Sequence, residues 1–208
     1  PPANVYWINQ TLQVDEGVVA WLRGEYRAAE VLGEQAKLQQ IWKGTDGSRD
    51  GLDARVERGQ ISRESRSSSA IWIFYGVDSE QQRGAAQEMA EGAGQPLLTV
   101  YLNKIINDAC LPLQAVRMAL RDARLTGAVA FLYGWDVCLN REETVDAALL
   151  TALCKHPGTV IVAGQRRWQP SGIERRRPFF QRAFEMPGYE QRLALWQRYL
   201  ENVTGIQM

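Results

Sequence analysis

Histidine is nearly absent from this chain: His156 is the only one among 208 residues. It lies in Cys154-Lys155-His156-Pro157-Gly158, where it reads as a helix terminator ahead of a turn, able to meet the last helical carbonyls. No serine-histidine-aspartate set can be built around it, and no paired carboxylates share an obvious cleft. Cysteine is scarce and odd in number. Cys110, Cys138 and Cys154 show neither C-x-x-C spacing nor a histidine companion, which argues against a disulfide framework and a zinc site and points to buried free thiols in a reducing cytosol. An excess of either charge is missing too. With 24 basic against 24 acidic side chains, no bulk field draws the chain toward nucleic acid or an anionic membrane. No apolar run approaches the roughly 18 residues needed to span a bilayer, and the Pro1-Pro2-Ala3 start shows no signal peptide. The expectation is a soluble, cytoplasmic protein with no membrane partner. A start without methionine and in mid-pattern is expected of a piece excised from a longer protein, although terminal processing would give the same start.

What is present is ordinary globular material. Hydrophobic residues make up 45% and charged residues 23%, enough apolar surface to build a core and against wholesale disorder. Asp15 to Gly24 reads as a helix, with Asp15 as N-cap, Gly24 as stop and Val18, Trp21 and Leu22 on one face. A second helical stretch is expected from about Arg27 to Trp42. Between Lys43 and Ser69 the composition turns to Gly, Asp, Ser and Arg, the mark of a linker or mobile loop. Three parts follow: an N-terminal helical segment over 1–44, a linker over 45–69, and an α/β unit over 70–208.

Within that last unit, short apolar runs near Ala70–Tyr75, Leu97–Leu102, Ala128–Tyr133 and Thr159–Gly164 alternate with helical stretches near Gln82–Glu91, Leu113–Leu125 and Thr144–Cys154. Such alternation implies a parallel sheet covered on both faces. A fifth strand near Arg182–Glu185 and a closing helix from Tyr189 to about Val203 complete the unit. Trp7, Trp42, Trp72 and Trp196 read as packing residues.

The first run leads into a segment of particular interest, Ile71-Trp72-Ile73-Phe74-Tyr75-Gly76-Val77-Asp78-Ser79-Glu80-Gln81-Gln82-Arg83. Laid against G-x-x-x-x-G-K-[ST], Gly76 fills the first glycine, while Gln81, Gln82 and Arg83 stand where glycine, lysine and the magnesium-holding hydroxyl belong. The frame of a phosphate-binding strand-loop-helix is kept and its ligands are not. Ala123-Arg124-Leu125-Thr126-Gly127-Ala128-Val129-Ala130-Phe131-Leu132 looks like the helix end, turn and strand that lead into a Walker B motif. It ends in Tyr133-Gly134 instead of two carboxylates. Asp136 comes two residues later, where only a swing of the loop would bring it to a metal, and reads rather as a loop aspartate capping a turn. Thr159-Val160-Ile161-Val162-Ala163-Gly164-Gln165 is similar to a sensor-1 strand, with Gln165 at the polar position. Arg175-Arg176-Arg177-Pro178-Phe179 resembles an arginine-finger segment, and Pro187-Gly188-Tyr189-Glu190-Gln191-Arg192 a Pro-x-x-x-x-Arg approach to a last helix.

Together these segments resemble the large α/β subdomain of AAA+ ATPases over about 69–200. The N-terminal stretch Leu12 to Gly24 is similar to the helical segment preceding non-catalytic modules of bacterial tandem-AAA proteins. The resemblance implies a three-layer P-loop NTPase-like fold with a five-stranded parallel sheet in the order 5-1-4-3-2, Ile71–Tyr75 central, and no complete helical lid before Met208.

The missing side chains set the functional expectation. Charge-assisted contacts of the P-loop kind are worth roughly 1.5–3 kcal/mol each. Since about 1.4 kcal/mol is tenfold in affinity, a micromolar site stripped of lysine, hydroxyl and Walker B aspartate falls to millimolar or worse. Backbone N–H groups at the helix N-terminus and Arg83 still attract an anion, but Asp78 and Glu80 repel it. The expected function is a catalytically degenerate, non-catalytic AAA+-like module of a larger bacterial ATPase, serving assembly, regulation or partner docking. It is expected to bind no cofactor itself, with ATP and Mg2+ handled elsewhere in the parent protein, and to have a neighbouring AAA domain or further copies of itself as partners. Two alternatives stand beside it: an active ATPase with a non-standard P-loop, and a nucleic-acid-binding module using the basic loop 166–182, where Trp168 and Phe179 would stack bases. Arg175, Arg176 and Arg177 are read as a solvated loop or as arginine fingers acting in trans on a neighbour's nucleotide.

Overall fold

Six segments satisfy their backbone groups by pairing edge to edge, and the computed structural model arranges them as one sheet in the order β1-β3-β4-β5-β2-β6. It describes residues 15–40, 70–107, 110–171 and 177–186 together with 188, 189, 193 and 196. The strands are β1 Ala36–Gln39, β2 Ile71–Gly76, β3 Leu97–Tyr101, β4 Val129–Tyr133, β5 Val160–Gly164 and β6 Phe179–Phe184. The helices are α1 Glu16–Leu22, α2 Ser79–Ala93, α3 Leu102–Ile105, α4 Pro112–Thr126 and α5 Ala147–Lys155.

β2 to β6 are mutually parallel, and β1 pairs antiparallel to β3 with Ala36 opposite Val100 and Leu38 opposite Leu98. Among the described residues the sheet is therefore mixed and six-stranded, and the expected five-stranded, all-parallel sheet does not match it as stated. Its five parallel members do run in the expected relative order, with β2 between β5 and β6. β1 is the difference. The helix expected from Arg27 to Trp42 is replaced, within the described residues, by an irregular run, a short 3-10 turn at Gly33–Gln35 and this strand. Ala, Lys, Leu and Gln form helices readily, but the open edge of β3 offers unpaired backbone groups, and that non-local pairing outweighs local propensity.

The central strands read as continuous apolar runs because both of their faces are covered. On one side Ile71, Ile73, Leu98, Val100, Ala130, Leu132, Val160 and Val162 pack against α4 and α5, and on the other Trp72, Phe74, Val129, Phe131 and Ile161 pack against α2. α2 opens on Asp78, whose carboxylate accepts from the Gln81 N–H at 2.9 Å, and closes on Gly94 in the left-handed region at φ 67°. Its buried positions Gln82, Ala85, Ala86, Met89 and Ala90 follow the helical repeat. α4 starts at Pro112, where a missing N–H costs nothing, and α5 opens on Asp146 and stops before Pro157.

Three finer expectations also change. α1 buries Gly17 and Ala20, while Trp21 and Leu22 are exposed. The last strand starts at Phe179, ahead of the expected Arg182. Trp72 is buried, but Trp196 is 64% exposed, as are its helical companions Tyr189 and Leu193 in good part. The linker over 45–69, with Trp7 and Trp42, lies outside the described residues. No helix among the described residues is long and apolar enough to cross a membrane.

Candidate functional site

The C-terminal ends of β2, β5 and β4 lie side by side, with Tyr75 opposite Gly164 and Tyr133 opposite Ala163, so the P-loop-like, sensor-1-like and Walker B-like segments do converge. Their side chains take structural roles there. β2 ends at Gly76 and α2 begins at Ser79, leaving only Val77 and Asp78 between strand and helix. Gln81, Gln82 and Arg83 are therefore inside the helix, beyond the loop in which a P-loop motif would put them. A two-residue turn has too few N–H groups to wrap a phosphate.

Gly76 has φ 127°, and a Cβ there would stand 2.1 Å from the Phe184 carbonyl oxygen. The glycine is required by the close approach of β6, which explains it without any ligand. Gln82 is 1% exposed, and its Nε2 donates to the carbonyls of Gly76 at 3.0 Å and Gly164 at 3.1 Å. An amide supplies both of these bonds without burying a charge, so the residue at the lysine position ties β2 to β5. Asp78 places its own carboxylate on the helix N-terminus, where an anion would otherwise bind. Arg83 is paired with Glu80, and the glutamate's hydrogen bond, followed by that of Tyr101, holds the guanidinium pKa up.

Tyr133 packs edge-on against Tyr101 with ring centroids 5.6 Å apart, and the space enclosed by Ser79, Glu80, Arg83, Tyr101, Phe131 and Tyr133 is about 100 Å3. Small-molecule sites run to roughly 300–1,000 Å3, so this cleft is short of what a nucleotide fills. Gly134 turns the chain at φ 78°, and a Cβ there would strike the Asn103 side chain. It admits Trp135, 1% exposed and stacked on Trp168 at 5.9 Å.

Asp136 turns back over the sheet end, accepting from the N–H groups of Gln165 at 2.8 Å and Arg166 at 2.9 Å. It is the turn-capping aspartate that its position suggests, although it caps a turn 29 residues away. Gln165 is thereby fixed through its backbone while its side chain is exposed. Nothing in the sequence announced this clamp, because the partner atoms are backbone N–H groups of a distant strand end. Among the described residues no group of three or more His, Cys, Asp or Glu could hold a metal ion. Burial, with the Asp136 charge adding to it, pushes the Cys138 thiol up to about 12, so it stays a thiol.

The basic stretch divides. Arg175 and Arg176 lie outside the described residues. Arg177 is 8% exposed, and its guanidinium donates to the carbonyls of Leu153 at 3.0 Å, Ala70 at 3.2 Å and Gly158 at 2.6 Å, and to that of His156. A side chain anchored in this way is not presented to a neighbour, which corrects the reading of Arg177 as a finger or a solvated charge. The nucleic-acid reading of 166–182 loses Trp168 as a stacking platform, since it is 4% exposed and covered by Trp135, while Phe179 is half-buried against the core.

No protein-family model matches the chain, and no curated protein matches it. Solved structures do. The AAA domain of FIGL-1 in complex with ADP aligns at TM-score 0.50 and 16% identity, covering 93% of this chain and 70% of that one. A chain of the HORMA:CdnC:Trip13 complex of E. coli MS115-1 aligns at TM-score 0.42 and 12% identity over 69% of this chain, which spans 58% of its length. Identities this low speak to fold alone. The likeness to the FIGL-1 domain, with the order of the parallel strands, identifies the fold as AAA-like.

Proposed function

We propose that this chain is a non-catalytic AAA+-like module of a larger bacterial ATPase, serving its assembly, regulation or partner docking, and that ATP and Mg2+ belong to another domain of the parent protein. The observation that carries the reading is Gln82: the side chain at the lysine position is spent on two carbonyls inside the protein. The two-residue turn and the carboxylate of Asp78 at the helix N-terminus add to it, since each removes donors that a triphosphate would need. The FIGL-1 domain was solved with ADP, so this fold houses nucleotide in another protein. Here Tyr133 and Gly134 replace the carboxylates that would hold magnesium and polarise water.

A ligand that binds the native state must raise the melting temperature. Millimolar ATP with Mg2+ is expected to leave it unchanged, and calorimetry to give no micromolar binding. A magnesium-dependent micromolar signal would overturn the reading and establish an ATPase with a non-standard site. With Arg177 anchored inside the fold, any contribution in trans to a neighbouring domain's nucleotide falls to Arg175 and Arg176. Arg175→Ala/Arg176→Ala in the full-length protein is then expected to lower assembly or the partner domain's ATPase rate while the melting temperature holds.

A further inference from the structure

α4 and α5 lie together on the sheet face away from α2, and a groove of about 530 Å3 runs between them. Arg117 and Arg124 rim it from α4, and Lys155 from α5; all three are exposed, and none forms an ion pair among the described residues. Its floor is Leu120 with the small residues Ala148 and Thr151, and no carboxylate lines it. Arg121 also borders the groove, but Asp15 and Asp122 engage its charge, so the uncompensated field comes from the other three.

We propose that this groove docks an acidic amphipathic helix of a partner protein. Arg117 and Arg124 are seven residues apart on one helix, which sets them roughly 10 Å apart along its axis. That spacing matches carboxylates two turns apart on a second helix. The small floor residues let a partner backbone come close, and an apolar stripe between its acids would cover Leu120. The lining has no Phe, Tyr or Trp on which a base could stack, its one imidazole, His156, is buried, and the chain's formal net charge is zero, which favours a protein over a nucleic acid. This names a partner for the docking role proposed above, yet it rests on the opposite face from the degenerate nucleotide site and stands whether or not ATP binds.

The test is fluorescence anisotropy on the 208-residue chain with a labelled synthetic helix carrying glutamates two turns apart around an alanine-leucine stripe. A peptide of the same composition in permuted order and a single-stranded oligonucleotide of equal charge serve as controls. The first peptide is expected to bind, more weakly as salt rises, and to lose about tenfold or more in affinity to Arg117→Glu/Arg124→Glu/Lys155→Glu at unchanged melting temperature. Should that variant fail to fold, Arg117→Gln/Arg124→Gln/Lys155→Gln replaces it with the same expectation. No binding, equal binding to wild type and charge variant, or equal binding of the permuted peptide overturns the proposal. So does tighter binding of the oligonucleotide through the same residues, or self-association of the chain that the variant abolishes. ATP titration reads the other face, so either proposal can fail alone.

Discussion

Gln82 and Arg177 occupy positions where a nucleotide-processing domain would want a free cation, and each is bound to backbone carbonyls instead. Gln82→Leu keeps much of the volume and removes the donor from the carbonyls of Gly76 and Gly164. The loss expected for stranding buried acceptors is about 1–3 kcal/mol, measurable by chemical denaturation. Gln82→Lys restores the lysine without the loop and is expected to destabilise the fold, because an ammonium is buried, while creating no ATP binding in the same calorimetry. Gly76→Ala meets both a left-handed backbone and the Phe184 carbonyl, and about 3 kcal/mol of destabilisation is expected from strain and overlap together. Arg177→Ala removes a donor from four carbonyls, of which Ala70 and Leu153 keep the N–H groups of Val160 and His156, and is expected to cost about 2–3 kcal/mol, chiefly through the carbonyls of His156 and Gly158. Arg177→Lys should recover little of it, since a single ammonium cannot span acceptors that the planar fork reaches together. A solvated arginine would lose no more than about 0.5 kcal/mol, so thermal melts of Arg177→Ala separate the two roles.

At the scale of elements, the N-terminal segment is held by a few polar contacts with α4. Asp122, 2% exposed, accepts from the Ala29 N–H at 2.9 Å and from Arg121, which also reaches Asp15 at the head of α1. Burial raises the Asp122 pKa against the lowering effect of those bonds. Asp122→Ala leaves a buried N–H and an Arg121 guanidinium paired to Asp15 alone, and a loss of about 1–3 kcal/mol is expected. Hydrogen exchange should show protection lost first at Ala29 and across β1, with β2, β4 and β5 protected to higher denaturant. The same elements show what a sequence can reveal. β2, β4 and β5 were legible because strands buried on both faces write their burial as unbroken apolar runs, and α2 and α4 because their caps and repeats are local. β1 was not, since Ala-Lys-Leu-Gln carries no strand signal and its state is decided by an edge 58 to 64 residues away. At the site, the sequence shows Gln82, Arg83, Tyr133 and Gly134 at the positions that the proposed reading takes as lacking lysine, hydroxyl and carboxylates. The roles that replaced them were not: Gln82, Asp136 and Arg177 answer to carbonyls and N–H groups, which every residue has and no sequence pattern marks.

For the whole molecule, one buried group is set to respond to mild acid. His156 is the chain's sole histidine, 6% exposed at the end of α5, and burial, with the Arg177 and Arg124 charges adding to it, lowers its pKa from 6.5 to about 4. The unfolded chain therefore takes up a proton near pH 6.5 while the folded protein refuses it until about pH 4. Between these values the unfolded state binds more protons, so stability rises with pH and is lost as pH falls. Going from about pH 7 to about pH 5, the histidine alone is expected to remove about 2 kcal/mol of global stability, before most carboxylates begin to protonate. Urea denaturation at those two pH values measures it. His156→Phe keeps an aromatic ring in the same site without a titrating nitrogen, and its stability should be nearly flat across the window even if its absolute value differs. A slope that survives in the variant would place the acid response elsewhere. A wild type with no slope would mean that the imidazole protonates in place, despite the two guanidinium groups that face it.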